Sequence, residues 1–186
     1  MVTNFIIPSI GRDTLDRTLI SLVNQRNDKW SCSLIFDNVD YNPSVKDDRI
    51  KLIKLDKKYG DKISYHGNGG KVRNFGLDLE IEDKWVSFVD DDDFLMTNYV
   101  QDLVDLDEYD IIIHKAKYLK DGSVLPRDEK IYIGNVGIFF SVKTYIIKTN
   151  NIRFDNGEYE DIEFLIKCTN YTDKIYFNNN INYIIG

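Results

Sequence analysis

Through the first half of the chain, short apolar runs of strand length alternate with stretches whose apolar residues recur at helical spacing, the signature of a mainly parallel sheet covered by helices. Phe5-Ile6-Ile7 reads as a first strand that stops at Pro8-Ser9. Between Asp13 and Gln25, Leu15, Leu19, Leu22 and Val23 fall at i, i+4, i+7 and i+8 and predict a helix with one apolar face, with Asp13 and Asp16 suited to its first turn. Ser33 to Phe36 is a second strand ending in Asp37-Asn38, and Ile50 to Leu55 alternates apolar residues with lysine, as a half-exposed third strand would. The glycine-rich stretch Gly67-Asn68-Gly69-Gly70 leads into a helix from near Lys71. Trp85 to Val89 is a fourth strand, and Thr97 is the expected N-cap of a helix to about Leu106, with Tyr99, Val100, Leu103 and Val104 on its apolar side.

The second half is less regular. Asp110 to Tyr118 reads as a strand, Asp121-Gly122 as a hairpin turn, and Val136 to Val142 as a further apolar run. A helix is expected from about Tyr159, with Ile162, Leu165 and Ile166 on one face. The tail holds two apolar pieces, Ile175-Tyr176-Phe177 and Tyr183-Ile184-Ile185, around three consecutive asparagines. No internal repeat and no linker interrupts residues 1–186, which read as one domain with an α/β front half and a mixed back half.

Composition narrows the partners. With 42% apolar and 13% aromatic residues, 186 residues suffice for a proper core, and the net charge of -7 argues against a nucleic-acid backbone. A nucleotide stays possible, because a bound metal inverts the local field. Cys32 and Cys168 offer neither a disulfide framework nor a ligand cluster and read as small core residues, fitting a reducing compartment. The start lacks the basic region of a signal peptide, and no apolar stretch nears the roughly 20 residues of a membrane span. The expectation is a soluble, cytoplasmic protein without a transmembrane segment.

The chemistry concentrates where strands end. Asp90 to Asp93 follow the apolar run Trp85-Val86-Ser87-Phe88-Val89, and an unpaired buried carboxylate costs several kcal/mol. Two readings stand: a divalent metal completed by a phosphate-bearing ligand, or a solvated acidic turn. In an open α/β sheet, ligands sit beyond the carboxyl ends of the strands, and Pro8-Ser9, Asp37 and Asp90 to Asp93 all fall at such ends. Gly69 to Gly76 opens a helix whose first N–H groups favour an anion, with Lys71 and Arg73 adding charge. Glu158-Tyr159-Glu160-Asp161 begins another helix, and there the macrodipole alone or a general base aimed at an acceptor hydroxyl would account for the acids. His114 lies within an apolar strand and reads as a core histidine, whereas His66 carries no sharper reading.

Set in order, these pieces resemble the family 2 glycosyltransferases of the GT-A fold, from Asn4 to about Lys167. The segment Phe5 to Ser9 with Arg12 and the following helix looks like that family's opening strand and helix. Ile35-Phe36-Asp37-Asn38 resembles its second strand, and Gly70 to Gly76 its helix start with an Arg-Asn pair. Phe88 to Asp93 resembles its Asp-x-Asp motif and Glu160-Asp161 its Glu-Asp pair. The resemblance implies a Rossmann-like three-layer α/β/α fold with a mostly parallel central sheet and a mixed C-terminal half. Residues 1–95 would be the nucleotide-sugar-binding half and 96–186 the acceptor side. It also implies a metal-dependent inverting transfer from a UDP-, GDP- or dTDP-sugar to a glycan or other hydroxyl acceptor. Asp92 would hold Mn²⁺ or Mg²⁺, and Asp90 would meet the ribose or donor sugar. Asp91 and Arg12 would join the donor-binding set, Pro8, Ser9 and Asp37 would frame the base, and Arg73 would assist the donor. Asp161 would deprotonate the acceptor. The alternative is a GT-A-like module that holds nucleotide or glycan without catalysis.

Overall fold

The computed structural model describes residues 1–60 and 69–186; His66, Gly67 and Asn68, singled out above, lie outside the described residues. The front half is built from β1 (Thr3–Ser9), α1 (Leu15–Val23), β2 (Trp30–Phe36), β3 (Ile50–Lys54), α2 (Gly69–Asp78) and β4 (Trp85–Phe88). There β1 pairs in parallel with β2 and with β4, and β2 in parallel with β3. The back half contributes β5 (Phe94–Leu95), α3 (Tyr99–Asp105), β6 (Ile111–Tyr118), β7 (Val124–Leu125), β8 (Phe140–Lys143), α4 (Thr144–Thr149), α5 (Glu160–Thr169) and β9 (Ile175–Ile185). The sheet order is β3-β2-β1-β4-β8-β6-β9-β5, with β7 a hairpin arm on β6. β8 lies antiparallel to β4 and β6, β9 runs parallel to β6, and β5 closes antiparallel onto β9. This is the α/β architecture expected, parallel in front and mixed behind.

Side-chain alternation assigns the helices to faces. On one face, Ile6 and Ile35 lie so close under α2 that a Cβ on Gly76 would stand 2.6 Å from Ile6 Cγ2. The register partner of Ile6 is Phe88, which meets Phe164 of α5 edge-on at 5.5 Å, so α2 and α5 share that face. On the other face Phe5 packs against Tyr99 of α3, and Gln25, just past the end of α1, ties the two helices together through its Oε1, which accepts the Val100 N–H. As expected, His114 is a core residue: it stacks on Tyr99 at 4.0 Å, its Nε2 bonds Ser141 Oγ at 3.0 Å, and burial pushes its pKa down to about 3. Cys32 and Cys168 are buried, and burial pushes the Cys168 thiol up to about 12.

Several boundaries differ from expectation, each for a local reason. β1 continues through Pro8 to Ser9. The Ile6 carbonyl accepts the Val89 N–H on the β4 side, and Pro8, two residues on, faces the same way beyond the last β1–β4 pair. Its missing N–H therefore removes no ladder bond. The cap of α3 is Asn98 rather than Thr97, because the Asn98 carbonyl takes the first helical bond, from Asp102 N–H. The run from Val136 to Val142 becomes a strand only at Phe140, and α4 follows it unannounced. The asparagine-rich tail is one strand. Asn178, Asn180 and Asn182 alternate onto a single face, and all three side-chain amides donate to Asp102 Oδ2 of α3, at 2.7, 3.3 and 2.6 Å.

Candidate active site

Because β1, β2 and β4 run parallel, their carboxyl ends form one edge, and hydrogen bonds join the polar residues there. The Asp37 N–H donates to the Ser9 carbonyl at 2.9 Å, and Ser9 Oγ donates to Asp91 Oδ2 at 2.8 Å. Pro8 is half-buried beside them. Asp37 itself is buried, and its two carboxylate oxygens accept the backbone N–H groups of Tyr59 and Gly60 at 2.6 and 2.8 Å. Asn38 follows in the left-handed region at φ 55°, which asparagine tolerates.

The four aspartates divide by parity. The Asp93 N–H donates to the Asp90 carbonyl at 3.1 Å, closing a turn that sends Asp91 and Asp93 inward. Asp91 accepts from Ser9 Oγ, from the Ile10 N–H at 3.1 Å and from Arg12 Nη1 at 2.9 Å. Asp93 accepts from Tyr183 Oη at 2.8 Å and from the Gly186 N–H at 3.0 Å. Loss of water and the neighbouring Asp90 charge push Asp93 up to about 7, and burial also raises Asp91. From α1 and its approach, Thr14, Arg17 and Thr18 donate to the carbonyls of Asp91, Asp92 and Asp93. The side chains of Asp90 and Asp92, by contrast, are 35% and 41% exposed. Asp92 pairs with Arg12 at 2.7 Å, and Asp90 with Arg73 at 2.5 Å.

Arg73 is the hub of the site. It is buried on α2, 5.5 Å above the Phe154 ring, and besides Asp90 it reaches Glu160 Oε1 at 2.9 Å and Asp161 Oδ1 at 3.3 Å at the start of α5. Burial works against its charge, but these three carboxylates outweigh it and raise the guanidinium pKa. Glu160 Oε1 also accepts the Gly70 N–H at 2.7 Å, so a protein carboxylate takes a helix-start N–H that the sequence suggested for an external anion. A Cβ on Gly70 would lie 2.6 Å from Glu160 Oε2, which is why glycine stands there. Glu160 Oε2 and Arg73 Nε are buried without a partner among the described residues. Loss of water, opposed by Arg73, pushes Glu160 up to about 7 and Asp161 up to about 6.

The structure thus brings Ser9, Arg12, Asp91 and Asp92 into one network and Arg73, Asp90 and Asp161 into another. The role of Glu160 as a buried partner of both Arg73 and the Gly70 N–H, and the backing of the turn by Tyr183, escaped the sequence reading. Glu160 carried a signal, since it adjoins Asp161 in a first helical turn; Tyr183 carried none beyond its place in an apolar tail. No group of three or more His, Cys, Asp or Glu side chains arranged to hold a metal occurs among the described residues. Asp90 and Asp92 nevertheless fit one in part. Each has one oxygen on an arginine and a second without a protein partner among the described residues. Two hard carboxylate oxygens suit Mg²⁺ or Mn²⁺, whose shell is ordinarily completed by water and phosphate.

No protein-family model and no curated protein sequence matches the chain. Solved structures do. A fragment of S. aureus TarS, residues 1–349, superposes with a TM-score of 0.77 at 20% identity over 100% of this chain and 60% of its own length. The same fragment in complex with UDP gives 0.78 over 99% of this chain, again at 20% identity and 60% of its length; it has also been solved with UDP-GlcNAc. A Pyrobaculum calidifontis mannosyltransferase in complex with GDP-Man and Mn²⁺ gives 0.63 at 10% identity, over 98% of this chain and 56% of that one. The chain therefore spans about 60% or less of the length of these proteins. The fold is that of the GT-A glycosyltransferases. No described helix is long and apolar enough to cross a membrane.

Proposed function

We propose that the chain is a metal-dependent, inverting glycosyltransferase domain that moves a sugar from a nucleotide-sugar to an acceptor hydroxyl. One observation carries this reading: Arg73 ties an outward carboxylate at the end of β4 to the carboxylates that open α5, so a donor-side and an acceptor-side group share one cation. The protein neighbours that bind UDP, UDP-GlcNAc and GDP-Man support a nucleoside diphosphate sugar as donor.

In this reading, Asp92 holds Mn²⁺ or Mg²⁺, with Asp90 beside it toward the ribose or donor sugar. A divalent cation bound there would supply positive charge to the leaving diphosphate. Arg12 steadies Asp91 and Asp92, and Pro8 and Ser9 border the base. Asp37 frames the base indirectly, by fixing the backbone at Tyr59 and Gly60. Asp161 keeps Oδ1 toward Arg73 and takes the acceptor proton on Oδ2. As that proton moves, the acceptor oxygen forms its bond to the anomeric carbon, and the bond from that carbon to the diphosphate oxygen breaks on the opposite face. A base near pKa 6 is ionised at neutral pH and still basic enough to assist.

The test is a thermal-shift screen of UDP-, GDP-, dTDP- and CMP-sugars, each with Mn²⁺ and with EDTA. Stabilisation by one nucleotide class that needs Mn²⁺ and disappears in Asp92→Asn is the expected result. Donor binding untouched by both EDTA and Asp92→Asn would remove the metal role. Binding with no transfer or slow hydrolysis dependent on Asp161 would leave a non-catalytic module.

A further inference from the structure

The acidic turn is held from α1 and β1 on one side, and on the other from the far end of the chain. β5, directly after the turn, pairs with β9 through Phe94–Ile184 and Leu95–Tyr183. Tyr183 is fully buried, and its hydroxyl does two things at once: it donates to Asp93 Oδ2 at 2.8 Å and accepts the Asp90 N–H at 3.3 Å. The Gly186 N–H holds the other oxygen of Asp93. One hydroxyl therefore joins the first and last residues of the turn, across the chord that sets how Asp90 and Asp92 stand relative to each other. Neither group has an alternative partner among the described residues. Without the hydroxyl, a backbone N–H and a buried carboxylate oxygen would each lose a hydrogen-bond partner, and a turn with two unsatisfied ends relaxes.

We infer that Tyr183 is a positioning residue for the donor and metal site, acting through the backbone of Asp90 and the carboxylate of Asp93 and touching neither substrate nor cation. This rests on the glycosyltransferase reading above and adds to it a residue from the opposite end of the sequence. Partners that orient metal-binding carboxylates ordinarily contribute on the order of ten- to a hundredfold in affinity. Tyr183→Phe keeps the ring, and so the packing against Phe139 at 6.1 Å, and removes only the hydroxyl.

The experiment uses Tyr183→Phe with Tyr99→Phe as its control. Tyr99 is equally buried, and its hydroxyl bonds Ser141 Oγ at 2.9 Å in the core rather than the turn. Mn²⁺ is titrated into each protein with UDP and with GDP, bound metal is followed by electron paramagnetic resonance, and amide exchange is read at Asp90. The expected result is faster exchange at Asp90 and a Kd for Mn²⁺ with nucleotide about tenfold or more weaker in Tyr183→Phe. Tyr99→Phe is expected to leave both unchanged. Equal Mn²⁺ affinity in Tyr183→Phe and the unaltered chain would overturn the role of Tyr183 while leaving the donor site standing. Equal weakening by both variants would overturn it as general destabilisation. An unaltered chain that holds neither nucleotide with Mn²⁺ would overturn the donor reading, and this role with it.

Discussion

The acidic turn and the start of α5 both set carboxylates around an arginine, yet they solve the problem in opposite ways. In the turn, the inward carboxylates of Asp91 and Asp93 and the carbonyls of Asp91, Asp92 and Asp93 are each met by a donor from β1, β9, α1 or its cap Thr14, and the outward carboxylates are partly exposed and meet one arginine each. At α5, among the described residues, Arg73 alone faces Asp90, Glu160 and Asp161, and Glu160 Oε2 and Arg73 Nε go without partners. The first arrangement gives each inward acceptor a donor; the second leaves two buried atoms without a partner among the described residues. Unsatisfied buried groups in an otherwise consistent structure mark places held for function. In the proposed reading, the turn holds the donor and the α5 cluster moves the acceptor proton.

The largest expected effect tests that contrast directly. Arg73→Met removes the only cation among the described residues within hydrogen-bonding reach of Glu160 and should cost about 3–5 kcal/mol, since an uncompensated buried charge remains. Arg12→Met, at a side chain 45% exposed, should cost no more than about 1 kcal/mol. Urea denaturation of both variants decides the matter, and equal losses would erase the distinction between the two regions.

Next in size are the catalytic losses. Asp161→Asn is expected to lower turnover by about 10²–10⁴ while Mn²⁺-dependent nucleotide binding persists. Asp92→Asn should do the reverse, losing metal-supported binding first. Steady-state kinetics beside calorimetric titration separates them, and parallel losses in both variants would mean that the two regions act as one site.

Much of this was legible in the sequence, for physical reasons. Runs such as Phe5-Ile6-Ile7 and Trp85 to Val89 are buried on both faces, so they announce parallel strands without reference to their neighbours. Asp90 to Asp93 stood out because four acids beside a buried strand demand an explanation. Parity within those acids was not legible, since it depends on a turn closed by tertiary partners. Nor was the tail: Asn178, Asn180 and Asn182 look like a break until Asp102 supplies their acceptor. Tyr183 and Asp93 are 90 residues apart, and nothing local in either links them.

Within the turn, a smaller effect sharpens the parity. Asp91→Asn turns an amide N–H₂ toward a donor it cannot bond, the Ile10 N–H or the Arg12 guanidinium, and should cost about 1–3 kcal/mol. Asp92→Asn, with 41% of its side chain exposed, should stay within about 0.5 kcal/mol in the absence of ligand. Melting temperatures of the two variants without metal provide the check, and a larger loss from Asp92→Asn would mean that inward and outward roles had been assigned the wrong way round.

The smallest effect is a pH dependence, and its sign follows from the folded-state shifts at α5. Asp161 titrates at about 6 in the folded chain against 3.8 in an unfolded one, and Glu160 at about 7 against 4.5. Between those limits the folded state binds more protons than the unfolded, so this contribution to stability is complete below about pH 4 and is lost as pH rises through 6 to 7. Asp161→Asn removes its share. The variant should therefore melt above the unaltered protein at pH 8, and the gap should close as pH approaches 4. His114 pulls the other way, because its folded value near 3 lies below 6.5 and costs stability as pH falls. Being the same in both proteins, it cancels from the difference in melting temperature. A gap that widened toward low pH would show that ionised Asp161 stabilises the fold through Arg73, and the α5 cluster would then be a structural ion pair like those of the turn.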